Sequence, residues 1–596
     1  MSGWLTVAMV AVPLLGALPL LVADDALRPV LRGYGMAVSG VTLALAAVMV
    51  ASFDHGQPAR PQFTVDLAWT PGLDLRFQLG VDGISLPLVA LTALLVFLCF
   101  AYLGWGGGTA PGQLLHPGPG GVRPRALVFT LLVLEVGMIG TFLALDLLLF
   151  FVFFEIVLIP MYFLIAIWGG EGRRAAAVKF ILYTLLGSVV MLLGLLLIWA
   201  QTGTLDIVEL AGSHGAGMSR AVQVVAFVAV GLGLAVKTPM WPLHTWLPDA
   251  HTQAPTVGSV LLAGVLLKMG TYGFARIAIP ILPEGAAAVA PWLGAFAVVG
   301  IVYGALACLA QRDLKRMIAY SSVGHMGFVL LGFATLSTAG VNGALFANVA
   351  HGLITGLLFF LAGAIKDRYH TADIPSLGGG LMARLPRLGA ILTFAAIASL
   401  GLPGLAGFWG EMLALFGAFE PAAALPRGLF LVFMVIGGLG AVLTAAYFLV
   451  MLSRVTHGSP TAVTPGAPSG GPAASAGTAS TAGGPDVLAG VASRAAGESV
   501  TGRLSATLPE PPDEQPVHPL PNSETPPGER SPHETPPYET PPRAGAAHRA
   551  ELPDVQRHEL VAWVPLIVLI LLFGLWPQLL LALTTPAVQT LLGALS

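Results

Sequence analysis

The sequence predicts an all-α polytopic membrane protein of about 14 transmembrane helices, with two inverted five-helix repeats that each contain a broken helix. Three observations lead there. Of the 596 residues, 56% are hydrophobic and only 10% are charged, against roughly a quarter in soluble domains. Apolar runs of about 20 residues, enough to cross a bilayer, recur along most of the chain. Two of these runs are interrupted next to a charged residue, by Pro239 and Pro242 after Lys237 and by "GLPGLAG" (401–407) before Glu411. They lie five spans apart and so run in opposite directions. Paired broken helices of opposite sense mark inverted repeats around an ion site near the midplane.

Taken in order, the runs place spans at 3–23, 32–53, 83–105, 126–146, 147–168, 178–200, 222–243 and 256–279. They continue at 287–310, 317–338, 342–365, 386–418, 427–453 and 559–584. The first, "WLTVAMVAVPLLGALPLLVA", lacks the positive leader of a signal peptide and is read as a retained helix. The organisation that follows is 1–125 for helices one to three, 126–285 for a first repeat and 286–454 for a second, inverted one. Residues 455–558 form an insertion and 559–596 the last helix. Loops after odd spans hold Arg28, Arg32, Arg123, Arg125, Arg173, Arg174, Arg312, Lys315, Arg316, Lys366, Arg368, Arg384 and Arg387. Loops after even spans hold only Arg60, Arg76, Arg220 and Arg427. The positive-inside rule therefore puts the odd loops in the cytoplasm and both termini outside.

The insertion is different in kind. It begins "HGSPTAVTPGAPSGGPAASAG", repeats "ETPP", and is dominated by Pro, Gly, Ala, Ser and Thr. Such a segment cannot bury enough apolar surface to offset its chain entropy, so it is expected to be a disordered cytoplasmic loop. A proline-rich docking segment is the sharper alternative.

Several functions are excluded early. The net charge is −3, with no basic patch for nucleic acid. The two cysteines, Cys99 and Cys308, sit apart inside apolar runs and cannot ligate an iron–sulfur cluster by themselves. There is no P-loop and no dinucleotide fingerprint. Cofactor and metal sites are therefore not expected in this chain.

What the spans should not tolerate is Glu135, Glu155, Lys237, Lys268 and Glu411. Each costs about 2.5–3.5 kcal/mol at a helix centre. Glu155 in "LLLFFVFFEIVLIPMYF" and Lys268 in "SVLLAGVLLKMGTYGF" are too central to reach an interface. Two acids and two lysines on separate spans make a row, whereas a single Glu155–Lys237 pair would suffice to lock helix packing. His244, His325 and His351 fall between them and can relay protons near neutral pH or simply bond helix to helix. Ser321 and Ser322 could bridge to His325. Proton uptake is placed near Lys179, Asp249 or His251, the last of these at the surface.

Four stretches carry a resemblance. "FFEIVLIPMYFLIAIWGG", "KTPMWPLHTWLPDAHTQAPTVGSVLLAGVLLKMGTYGFAR", "QRDLKRMIAYSSVGHMGFVLLG" and "LPGLAGFWGEMLALFGAF" closely resemble the subunit M family of bacterial NADH–quinone oxidoreductase, respiratory complex I. The mitochondrial counterpart is NADH dehydrogenase subunit 4. The likeness runs to about residue 453 and takes in the last span; the 455–558 insertion departs from the family pattern. Mrp-type antiporter subunits and subunits L and N share the fold, but typically carry lysine where this chain has Glu411. Subunit L also has a long lateral helix after its last core span, which this chain, ending at Ser596, lacks.

The resemblance implies a proton path. Glu155 matches the acid of the fifth span, Lys237 the lysine of the broken seventh and Lys268 the central lysine of the eighth. His325 and His351 match the connecting histidines, and Glu411 the terminal acid. Glu135, Lys179, His244, Asp249 and Ser322 are accessory candidates. The family subunit holds no cofactor, with NADH, flavin, iron–sulfur clusters and quinone handled by other subunits. It implies L-like and N-like neighbours in a bacterial plasma membrane. A cation/proton antiporter subunit and a non-pumping scaffold are the alternatives.

Overall fold

The computed structural model describes residues 3–22, 28–70, 75–104, 123–458 and 552–593. Thirteen of its helices are long and apolar enough to cross a membrane. They are α1 (Trp4–Leu21), α2 (Gly33–Ser52), α3 (Ser85–Leu103), α4 (Pro124–Leu143), α5 (Leu147–Trp168), α6 (Arg173–Thr202), α7a (Arg220–Lys237) and α8 (Thr256–Ile281). After these come α9 (Pro283–Leu309), α10 (Leu314–Ala334), α11 (Thr338–Tyr369), α13 (Arg427–Val455) and α14 (Arg557–Leu575). Between α11 and α13, two half-length helices, α12a (Pro386–Ser399) and α12b (Ala406–Phe419), make the broken twelfth crossing. The matching break in the seventh leaves α7b (Trp246–Gln253) beyond Lys237.

Both breaks follow from the residues present. Proline removes a backbone donor and clashes with the preceding turn, so α7a stops at Lys237 ahead of Pro239 and Pro242. Gly401 and Gly404 adopt left-handed backbone at φ +78° and +93°, which ends α12a after Ser399. A side chain at 401 would also meet Glu411 Oε2 at 2.9 Å.

Two backbone bridges show the internal symmetry. Leu147 N donates to Leu205 O and Ile207 N to Leu145 O, so Asp146 lies against Asp206. Leu314 N donates to Ala372 O and Ile374 N to Arg312 O, so Asp313 lies against Asp373. All four aspartates cap helix N-termini with their carboxylates, which satisfies donors no turn precedes. The two pairs have the same spacing in sequence, and the short motifs recur: "ALDLLLF" with "TLDIVEL", then "QRDLKRM" with "TADIPSL". Because α5 and α10 are five crossings apart, the second bridge sits at the opposite end of the bundle.

The centre belongs to α8, which is buried almost throughout and is flanked by α11 and α7a. Helices α2 and α13 are largely exposed outside this core. This is the pattern of helices solvated by lipid tails on one side and by protein on the other. Polar side chains on α8, α10 and α11 therefore face protein.

Three features differ from the sequence reading. The stretch between the second and third spans folds as a hairpin, β1 (Gln62–Thr70) paired antiparallel with β2 (Leu75–Val81). Val65 faces Leu79 and Leu67 faces Phe77, and Arg76 pairs with Asp66 across the strands; the long apolar runs on either side masked this short alternation. The fourteenth span does not run on to 584. Helix α14 ends at Leu575 before Pro577, and a separate helix α15 (Gln578–Leu591) follows. Its Thr584 donates to Asn342 of α11. Helix α9 begins at Pro283. The disordered-insertion reading of 455–558 lies, over 459–551, outside the described residues.

Candidate functional site

Lys268 is the centre of the site. The first π-helical stretch of α8, Leu262–Leu266, lies just ahead of it. Such a stretch shifts hydrogen bonding by one residue and releases a carbonyl from the α pattern. The Lys268 ammonium donates to the Ala263 carbonyl at 2.5 Å and to His351 Nδ1 at 2.6 Å. That contact makes His351 Nδ1 an acceptor and leaves the proton on Nε2, which has no partner among the described residues. Thr271, one turn on, donates to Asn348 of α11 at 2.9 Å. Two helices are thus joined by two polar contacts, one of them a charge-assisted hydrogen bond.

From His351 the line continues to α10 and α12. The His351 and His325 rings lie 5.6 Å apart, edge to face. His325 Nδ1 meets Glu411 Oε1 at 3.0 Å, and its Nε2 meets Ser399 Oγ at 3.1 Å. A carboxylate accepts only, so Nδ1 carries the proton and Nε2 accepts from the serine hydroxyl. Both histidines, Ser399 and Glu411 line one small cavity with about 20 Å³ open to a water's centre, room for roughly one water. The break in α12 makes this geometry. It ends α12a at Ser399 and restarts the helix at Ala406, so both turn toward His325.

On the other side of Lys268, contact is lost. Lys237, the last residue of α7a, is 2% exposed, and its ammonium has no hydrogen-bond partner among the described residues. It sits 4.4 Å from the centroid of the Phe154 ring, a cation–π contact. Glu155, the next residue along the chain from Phe154, makes no hydrogen bond to that ammonium, and its Oε1 is buried without a partner among the described residues. The locked Glu155–Lys237 pair is therefore not what this structure holds. The end of α7a nonetheless packs on α8 beside Lys268: a side chain at Gly270 would strike Thr238 Oγ1 at 2.5 Å and Leu234 O at 2.7 Å.

The accessory residues divide. Lys179 and Asp249 pair at 2.8 Å, and Arg316 lies 3.5 Å from the same carboxylate, all partly exposed. Glu135 is wholly buried, and neither carboxylate oxygen has a partner among the described residues. His244 is buried in the α7 break against Tyr303, 4.9 Å between ring centres, and neither ring nitrogen has a partner among the described residues. Ser321 and Ser322 do not bridge to His325. Their hydroxyls bond back to Ile318 O, the usual choice of a serine inside a helix, and the serine that reaches His325 comes from α12a. His251 is not at the surface but fully buried, stacked on Phe359 at 4.5 Å. The sequence reading also missed Lys315, 3% exposed on the first turn of α10, whose ammonium donates to Ala254 O at 2.9 Å. A lysine at a span end reads as a membrane-surface charge; only the fold turns it inward.

Residues 144–444 match the family model described as NADH:quinone oxidoreductase/Mrp antiporter, TM. The NADH-quinone oxidoreductase subunit M of Rhodobacter capsulatus is 44% identical over 428 residues, 70% of this chain and 78% of that protein. The NADH-ubiquinone oxidoreductase chain 4 of Arabidopsis thaliana is 39% identical over 452 residues, 76% of this chain and 86% of that one. The fold is similar to a chain of respiratory complex I from Thermus thermophilus, at TM-score 0.74 and 24% identity over 99% of this chain and 100% of that one. It is similar also to a chain of the Mrp complex from Dietzia, at TM-score 0.72 and 22% identity over 99% of this chain and 98% of that one.

Proposed function

The chain belongs to the subunit M (chain 4) family of NADH–quinone oxidoreductase, an antiporter-like membrane family, and we propose that its buried lysines, histidines and carboxylates carry protons across the bilayer. It is a membrane-arm subunit whose role is to couple electron transfer from NADH to quinone with proton pumping. The electron carriers, flavin and iron–sulfur clusters, and the quinone belong to other subunits. L-like and N-like antiporter subunits are its neighbours in a bacterial plasma membrane, with the 455–558 insertion facing the cytoplasm.

The observation that carries this reading is the row Lys268–His351–His325–Glu411 across α8, α11, α10 and α12, hydrogen-bonded at both ends and joined in the middle by two histidine rings 5.6 Å apart that line one small cavity. Packing alone needs no such row, because one buried pair would fix two helices. Lys268 hands its proton to His351 Nδ1 across their direct contact. His351 releases from Nε2, and the proton passes across the cavity to His325. Glu411 accepts from His325 Nδ1 and discharges toward the outside along α12b.

Lys237 is the control point. With no hydrogen-bond partner on its ammonium among the described residues, its proton is held by the Phe154 ring and by the charge of Glu155. Movement of Glu155 toward Lys237 retains that proton; movement away releases it toward Lys268. Each charge acts on the next through a medium of low effective dielectric, and the row titrates as a coupled set.

Glu155→Gln tests the control point. The variant should assemble, judged by native gel, while NADH oxidation and proton pumping fall together. Intact assembly with both activities preserved would make Glu155 a packing residue.

A further inference from the structure

Helix α12a borrows its N-terminal cap from a distant part of the chain. Its own N-cap, Leu385, makes no side-chain capping bond, and Pro386 opens the first turn without a donor. The next two backbone donors, Arg387 N and Leu388 N, go to the carboxylate of Asp554 at 2.9 and 3.0 Å. These are groups that no preceding turn can satisfy. The carboxylate also meets the positive end of the helix dipole. The matching helix of the first repeat, α7a, is capped instead by its own Ser219.

Asp554 is held from its other side by α11. Arg368 donates to Pro553 O and Asp554 O, and its forked bonds to Glu559 pin the start of α14 behind them. The chain leaving α13 lies on the same approach to α12a. Met382 N donates to Thr456 O and Gly380 N to His457 O, both at 3.0 Å. Asp554 therefore bonds α11 through its backbone and α12a through its side chain. Each of these helices leads away from the clamp to the same small cavity, α11 to His351 and α12a to Ser399. Ser399 is the last residue of α12a, about 18 Å of helix from Arg387. Its hydroxyl donates to His325 Nε2 at 3.1 Å. A hydrogen-bonded helix of so few turns carries a shift at its capped end through to Ser399.

We propose that Asp554 is a positioning residue for the proton path: by fixing the N-terminal end of α12a against α11, it holds Ser399 on His325. The inference rests on the reading of His325 as a proton carrier. Asp554 touches none of the transferring groups and exchanges no proton itself. What it secures is the Ser399 bond to Nε2, and that bond decides which ring nitrogen carries the proton. With Nε2 occupied by the serine donor, the proton sits on Nδ1, 3.0 Å from Glu411 Oε1. Without the cap the first turn of α12a opens and Ser399 drifts. His325 then loses the donor that fixes both its tautomer and the direction of its ring.

The test is a cycle of variants in the assembled complex in membrane vesicles, with proton pumping and NADH oxidation measured per assembled complex. Asp554→Ala should assemble, because Arg368 still holds Glu559 and the carbonyls at 553 and 554. Its turnover should fall about tenfold, the size of one hydrogen bond lost from the path. Ser399→Ala should fall by the same factor. The double variant should fall no further than either single one, because both remove the same contact. Asp554→Asn still accepts at the helix end and should recover most of the turnover. A purely structural role predicts parent turnover per complex in Asp554→Ala, or losses that multiply in the double variant, and either result would overturn the proposal. If Asp554→Ala does not assemble, Asp554→Glu enters the same cycle. It keeps the charge, changes only the reach of the cap, and is held to the same non-multiplying loss. His325→Ala separates the two levels. Pumping that survives His325→Ala removes the underlying path, whereas pumping lost there with parent turnover in Asp554→Ala removes only the positioning role.

Discussion

Replacing Lys268 with methionine should abolish proton pumping while leaving the complex assembled. The side chains are similar in length, and the site lies in α8, buried almost throughout, so the change keeps volume and removes the charge and its donors. The Ala263 carbonyl and His351 Nδ1 each lose a partner. Losing one such partner costs about 1–3 kcal/mol in stability, which a subunit embedded among so many helices should absorb. The functional loss is expected to be far larger. With no proton carrier between the α7 break and His351, the row to Glu411 has no supply. We expect pumping and coupled NADH oxidation to fall by a hundredfold or so, within the range for removing a positioned proton-transfer group. Native-gel assembly with activity near the parent level would favour the scaffold reading.

The second large effect concerns assembly rather than transport. Arg368, at the end of α11, grips Glu559 of α14 with two parallel bonds, both 2.7 Å, and the two side chains are only 7% and 4% exposed. The same guanidinium donates to the carbonyls of Pro553 and Asp554, and the Asp554 carboxylate accepts from the backbone of Arg387 and Leu388. This cluster fixes the chain where it returns from the 455–558 insertion. Arg368→Met leaves the Glu559 carboxylate buried and unpaired, at a cost of roughly 3–5 kcal/mol. The expected result is little assembled complex on a native gel and a lower unfolding temperature for what remains. The double variant Arg368→Met with Glu559→Leu removes both charges together and should recover most of the assembly. Failure of the double variant to improve on the single one would show that the carbonyl contacts, not the ion pair, hold α14 in place.

Much of the fold was legible because a bilayer imposes strict rules on sequence. Length and apolarity mark a span, and Pro239, Pro242 and "GLPGLAG" mark the breaks, since exposed backbone is tolerated in a membrane only inside protein or beside a polar cavity. The hairpin at Gln62–Thr70 and Leu75–Val81 was not legible, because its alternation is short and weak beside the spans. The end of α14 at Leu575 was missed because the residues after Pro577 remain apolar.

The candidate residues show the same division. A carboxylate or an ammonium in the middle of an apolar run is conspicuous by itself, so Glu135, Glu155, Lys237, Lys268 and Glu411 stand out with no structure in hand. The sequence by itself thus determined which residues carry unusual cost, in how many crossings, and in what family. Only the tertiary structure decided which of them meet. It joined Lys268 to His351 and His325 to Glu411 and Ser399, left Lys237 against an aromatic ring instead of Glu155, and turned His251 and Lys315 inward. The physical reason is that burial cost belongs to one residue and its neighbours along the chain, whereas a hydrogen bond between helices depends on register, crossing angle and the π-helical turn of α8, none of which apolar periodicity encodes.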